Sequence, residues 1–181
     1  MEVSSWILHV LKIGCRWRDV PPAYGPAMIV HNRYNRWTRR GEWQHLFQQV
    51  AGTSPVPEEL SIDSSHVKAH RFAAGGEGRV VPSDRSLVGR PHVEGPCLAD
   101  DRGRPVAFAL TPANRTIPYP IDPKAYARRS LIERLFGRLK NWRHIATRYD
   151  RLAQNYLAAL ALVAIASAWQ NEFPTWAAVF S

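Results

Sequence analysis

Four residues late in the chain, Tyr126, Arg129, Glu133 and Lys140, have types and a spacing that let them act together. On a helix turning about 100° per residue they fall in a stripe roughly 60° wide. That stripe holds out one carboxylate flanked by two cations and a phenol. Leu131, Leu135, Leu139 and Trp142 form a second stripe roughly 140° away, so the same helix can bury one face. A solvated charged face on an amphipathic helix accounts for the same pattern. A second acid, Asp63, lies between Ile62 and Ser64 inside the β-prone run 60–68. A carboxylate in mid-strand is unfavourable unless it sits at an edge or is used. His66 and His70 have the i, i+4 spacing of a helical metal pair. Their run reads as strand and no third ligand accompanies them, which argues against zinc.

Composition bounds what these residues can serve. The chain has 181 residues, enough for one ordinary domain or one with a small appendage. It is 45% hydrophobic with seven Trp, which argues for a buried core and against a disordered chain. The formal charge of +9 points to a polyanionic partner, nucleic acid or an anionic membrane surface. Most of the cations are Arg, which suits bidentate contacts to phosphate and guanine. Cys15 and Cys97 are far apart and form no CxxC pair, so a reducing cytoplasm is the expected location. The first residues lack the basic start and small-residue cleavage site of a signal peptide. The most apolar run, 156–169, is shorter than the roughly 20 residues a bilayer span needs and reads as a buried core helix.

The elements that must position the acids follow from periodicity and punctuation. A short helix over 6–13 carries Trp6, Ile7, Val10 and Leu11 on one side and ends at Gly14. A loop leads to a second helix over 27–40, with Ile29, Tyr34 and Trp37 expected inward. Its Arg33, Arg36 and Arg40 share a face (i, i+3, i+7) that suits phosphate tracking or a DNA groove, and Arg39 lies beside them. After Gly41 a third helix packs Trp43, Leu46, Phe47 and Val50. Three short helices with a basic one in the middle suit a helix-turn-helix-like DNA-binding unit, or equally a surface helix packed on a neighbour. The linker 52–59 leads to the Asp63 strand, a Gly-rich basic loop, and a hairpin over 92–110 that turns at Asp101-Arg102-Gly103. The second arm, VAFAL, is apolar throughout and suits a buried strand. The helix that carries the Tyr126–Lys140 signature is expected to run on to about Tyr149, and a last helix from Asp150 to Trp169.

Three stretches in this order resemble the DDE transposases of bacterial insertion sequences, insertion sequence family five and its YREK-class relatives. CRWRDVPPAYGP with RYNRWTRRGEWQHLF is similar to their N-terminal DNA-binding segment. SIDSSHVKAHR and ADDRGRPVAFALTPANR resemble the strand carrying their first catalytic Asp and the hairpin after it. YARRSLIERLFGRLKNWRHIATRYDRLAQNYLAAL is similar to their third-acid region. The resemblance implies an α+β fold of α/β-like character. Residues 1–52 would be a small helical DNA-binding segment and residues 53–181 an incomplete ribonuclease-H-like core. It implies Asp63 and Glu133 as catalytic metal ligands for Mg²⁺ or Mn²⁺, since two such ions stabilise the attacking and leaving oxygens of phosphoryl transfer. Arg129 and Lys140 would contact DNA phosphates, Tyr126 would help position the strand, and the partners would be double-stranded DNA and transposon ends, with no membrane.

The family's second Asp lies on a strand parallel to the first, reached through a crossover helix of a dozen or more residues. Only residues 112–125 separate Thr111 from Tyr126, and Pro112, Pro118, Pro120 and Pro123 interrupt them. Asp122 stands where the family has an ordinary acid, and Asp100 and Asp101 sit at the hairpin turn. The expectation is an internally deleted transposase, impaired in strand cleavage and transfer. Three readings stay open: an active metal-dependent enzyme, a catalytically dead DNA-binding remnant or regulator, and a non-functional decay product. The remnant would act as a homo-oligomer or by mixed assembly with an intact transposase.

Overall fold

A helix with Ala, Leu, Val and Ile on every side has no polar face to offer water, so it is satisfied only when surrounded. That is the position of α6 (Ala153–Ala168) in the computed structural model, which describes residues 3–55, 57, 60–69, 92–112, 123–150 and 152–169. Ten residues of α6 are buried, from Tyr156 through Ala166. Five other helices pack on it: α1 (Val3–Ile13), α2 (Ala27–Arg39), α3 (Glu42–Gly52), α4 (Pro123–Lys140) and α5 (Arg143–Ala146). Each fully buried Leu, Ile or Val there contributes about 1.5–3 kcal/mol of transfer free energy. One continuous cluster takes in Ile7 and Leu11 of α1, Tyr34 of α2, Trp43 and Phe47 of α3, Leu135 and Leu139 of α4, and α6 itself. The three N-terminal helices therefore share their core with the remainder of the described chain.

The strands β1 (Ser61–Ala69), β2 (His92–Ala99), β3 (Pro105–Phe108), β4 (Thr111–Pro112) and β5 (Thr147–Arg148) form one mixed sheet. Its order is β3-β2-β1-β5, with β4 pairing on β2 in line with β3. β1, β2 and β3 are antiparallel neighbours, while β5 runs parallel to β1 through Lys68↔Thr147 and Ala69↔Arg148. The register sets Asp63 opposite Cys97 and Cys97 opposite Phe108. Cross-strand partners share a face, and Cys97 is buried in the core cluster, so this is the inner face. Ile62 and Leu98 pair on the outer face, where Ile62 is 75% exposed.

Several expectations give way to this arrangement. Ile29 points outward and its neighbour Val30 inward, because Tyr34 and Thr38 continue the Val30 row toward α6. The arm VAFAL is half-buried in alternation, since among the described residues its second face is left to solvent. The signature helix stops at Lys140; Asn141 and Trp142 turn the chain into α5, and Thr147 and Arg148 join the free edge of β1. The proline-rich connection supplies both the β4 bridge and the start of α4 at Pro123, a residue tolerated in a first helical turn where its missing N–H is an orphan anyway. The Gly-rich loop with His70, and Asp122, lie outside the described residues.

Candidate nucleic-acid interface and acid site

The basic helix α2 is held from beneath by an aromatic and polar seam. Val30, Tyr34 and Thr38 make its buried row. The Tyr34 hydroxyl donates to the Asn155 carbonyl at the start of α6 (2.6 Å), and Asn155 Nδ2 donates to Asn35 Oδ1 (3.2 Å). The Tyr34 carbonyl accepts from Thr38 Oγ1 (2.8 Å) and from Trp43 Nε1 (3.4 Å). Trp17, in a single helical turn after α1, lays its ring 4.9 Å from that of Tyr34 and 5.1 Å from that of His31. Burial first, and the Asp150 charge second, push the Tyr34 phenol well above its usual 10.0, so it serves as a neutral donor. With its inner row fixed, α2 turns the opposite side to solvent. Arg36, Arg39 and Arg40 are exposed, and Arg33 is half-buried with its guanidinium 5.8 Å from the Trp37 ring centroid. Three arginines anticipated from spacing, Arg33, Arg36 and Arg40, thus lie on one side of one anchored helix, with Arg39 beside them.

The acids sit on neighbouring elements. Asp63 is half-buried on the inner face of β1, and α4 packs against β1. The Cys97 thiol is raised to about 12, mainly by burial and further by the Asp63 charge, which agrees with their cross-strand pairing. Glu133 and Lys140 are exposed on one side of α4, two turns apart. Ile132, Leu135 and Leu139 bury the adjoining face, Ile132 taking the place expected of Leu131, which is half-buried. Tyr126 and Arg129 fall on the first turns of α4, and their side chains lie outside the described residues.

A two-ion phosphoryl-transfer site needs carboxylates that bridge both metals. Among the described residues no group of three His, Cys, Asp or Glu side chains gathers as a metal site. Asp100 and Asp150 are otherwise engaged. Asp150 meets His144 at 2.7 Å, both largely buried. Among the described residues Asp63 and Glu133 are joined by no third carboxylate, fewer donors than two bridged ions need.

Sequence reasoning missed the use of Asp100. It is 3% exposed and pairs with Arg104, 7% exposed, at 2.8 Å. Its other oxygen accepts from the backbone N–H groups of Arg102 (3.0 Å) and Arg104 (2.7 Å). The signal was present as an Asp four residues before an Arg across a Gly-containing turn. Gly103 adopts φ +70°, and its carbonyl accepts from Arg138 Nη2 of α4 at 2.8 Å. A Cβ on Gly103 would lie 3.4 Å from the Leu131 carbonyl, so the hairpin tip docks directly on α4. Leu131 and Arg138 face the hairpin, and Glu133 and Lys140 occupy the other side of the helix.

Residues 1–47 match the family described as "Putative transposase of IS4/5 family". Over 69 residues the chain is 38% identical to the uncharacterized protein y4sN of Sinorhizobium fredii, covering 38% of this chain and 54% of that one. Over 75 residues it is 28% identical to a 16.2 kDa uncharacterized protein of insertion element IS402 from Burkholderia cepacia, covering 40% of this chain and 51% of that one. The chain spans about half the length of these curated relatives. No solved structure matches. Among the described residues no helix is long and apolar enough to cross a membrane. The similarities support an insertion-sequence origin for this chain.

Proposed function

We propose that this protein binds duplex DNA through α2 and is impaired in the metal-dependent strand cleavage and transfer of a DDE transposase. The observation that carries the reading is the anchored helix with Arg36, Arg39 and Arg40 exposed and Arg33 at its rim. Cations on one rigid face release condensed counterions when they meet phosphates, which gives affinity without sequence preference. The net charge of +9 has the same sign. The mixed sheet, with three antiparallel strands and a parallel neighbour of β1, supports the incomplete ribonuclease-H-like reading. That parallel neighbour consists of Thr147 and Arg148, neither of them an acid, which supports the impairment. Lys140, exposed two turns from Glu133, is a further phosphate contact in this reading, with Arg129 and Tyr126 on the same helix.

The test is binding and cleavage in one tube. Purified protein is titrated onto labelled duplex carrying the insertion sequence's ends, with Mg²⁺ and then Mn²⁺. The expected result is salt-dependent binding with no nicking. Absence of binding at low salt would overturn the DNA reading. Nicking that disappears in both Asp63→Asn and Glu133→Gln would overturn the impairment and reveal another carboxylate completing the site.

A further inference from the structure

The exposed stripe of α2 is not uniform along its length. At about 100° per residue, Met28, Arg39, Asn32, Arg36, Ile29, Arg40 and Arg33 follow one another around an arc roughly 140° wide. Along the length of the helix, however, that arc divides in two. The first turns present Met28, 71% exposed, Ile29, 55% exposed, and Asn32, also exposed. The last turns present Arg36, Arg39 and Arg40, with the half-buried Arg33 between the two groups. Two large apolar side chains facing water on the first turn cost free energy, while Val30 beside them is fully buried. Packing among the described residues leaves them uncovered. The arginines on the same arc restrict what a partner covering them can be: it must be anionic and must also offer apolar groups close to its charges. The major groove of duplex DNA does both. It admits an α-helix, its walls carry phosphates, and its floor displays thymine methyl groups and the N6 and N7 edge of adenine, which an Asn amide matches in two hydrogen bonds.

We infer that the N-terminal end of α2 is a base-reading surface that enters the major groove, with Met28 and Ile29 against thymine methyl groups and Asn32 on an adjacent adenine, while Arg36, Arg39 and Arg40 hold the flanking phosphates. This rests on the proposed DNA binding through α2 and goes beyond it, since phosphate contacts alone carry no sequence preference. Residues at the N-terminal end of a groove-entering helix are the ones that reach base edges, and here they are the non-cationic ones. The neighbouring helix α3 does not compete for the role. Its exposed residues, Glu42, His45, Gln48, Gln49 and Gly52, include an acid and no Lys or Arg.

The experiment is selection from a random-sequence duplex library with the full chain, followed by affinity measurement on the enriched duplex and on a scrambled one. The wild type is expected to enrich an A·T-containing site. Asn32→Ala is expected to lower the preference for that site over the scrambled duplex by roughly 5- to 150-fold. Replacing thymine by uracil in the site removes only the 5-methyl groups. It should weaken the wild type and leave the Met28→Ala/Ile29→Ala double variant unchanged. The salt dependence should be the same in all three proteins, and because these side chains are exposed the variants should unfold at the wild-type temperature. DNA binding by the wild type with no enriched sequence, or a uracil penalty of equal size in the wild type and the double variant, would overturn the base-reading role while leaving DNA binding through α2 intact. Failure to bind any duplex would overturn both.

Discussion

Helices α2 and α4 have the same construction and different surroundings. Each buries one row of apolar residues against the core and turns charge outward: arginines on α2, Glu133 and Lys140 on α4. Beneath α2 the seam is closed. Tyr34, Thr38 and Trp43 exchange hydrogen bonds, Asn155 ties Asn35 to α6, and Trp17 covers the flank. Beside α4 the hairpin tip is locked, and among the described residues Asp63 and Glu133 gather no third ligand. A surface that binds needs only its own helix and an anchor. A site that cuts needs carboxylates from separate elements in register, so in the proposed reading loss of one element would spare the first and disable the second.

That contrast can be broken at either end. The largest effect is expected from Asp100→Ala, which leaves the buried Arg104 guanidinium without its carboxylate and should cost about 3–5 kcal/mol in chemical denaturation. Trp43→Ala on the α2 side should cost a similar ~3–5 kcal/mol through the cavity it leaves in the shared core. The comparison sharpens if both variants shift one cooperative transition. Two separate transitions would mean that α1–α3 fold independently of the sheet, and that the common cluster contributes little. Tyr34→Phe removes a single buried donor and leaves the Asn155 carbonyl under-satisfied, so a loss of about 1–3 kcal/mol is expected, with DNA affinity following only as far as α2 loosens.

The smallest effect is a pH dependence under α2. Burial holds the His31 imidazole below its usual 6.5, opposed in part by the Asp150 charge. The neutral ring sits 3.0 Å from Asn35 Nδ2, a distance that suits acceptance of a hydrogen bond. The fold therefore favours the unprotonated ring. Its contribution to stability is whole above pH 6.5 and is lost as pH falls through the lowered folded-state value. Melting temperatures from pH 7.5 down to 5 should decline less steeply in His31→Gln than in the wild type. Parallel curves would show that the ring titrates as freely folded as unfolded.

Much of this architecture was legible in the residues. Gly14 and Gly41, both at positive φ, punctuate the helices where the sequence has no other reason for glycine. The all-apolar run that became α6 could only be interior, and the Asp101-Arg102-Gly103 turn fixed the hairpin. What was not legible depends on partners that periodicity does not name. Ile29 and Val30 are adjacent and equally apolar, so only the position of α6 decides which one is buried. The apolar arm VAFAL reads as interior, yet whether its second face is covered depends on helices elsewhere in the chain. The break after Lys140 carries no Gly or Pro, and it is the free edge of β1 that draws Thr147 and Arg148 into the sheet. The Asp100–Arg104 pair looked like an ordinary polar turn until the docking of Gly103 on α4 buried it. For the acid site the sequence points to the strand of Asp63 and the helix of Glu133, and the short proline-interrupted stretch 112–125 already leaves no room for a strand carrying a second Asp.

The most direct test is the salt dependence of duplex binding for the wild type, for the triple variant Arg36→Gln/Arg39→Gln/Arg40→Gln, and for Lys140→Gln. Each lost phosphate contact should flatten the slope of log affinity against log salt by about 0.9. The predicted result is a slope reduced by roughly 3 in the triple variant and by no more than about 1 in Lys140→Gln, with all three proteins equally folded. A triple variant that binds with the wild-type slope and affinity would contradict the assignment of DNA binding to α2.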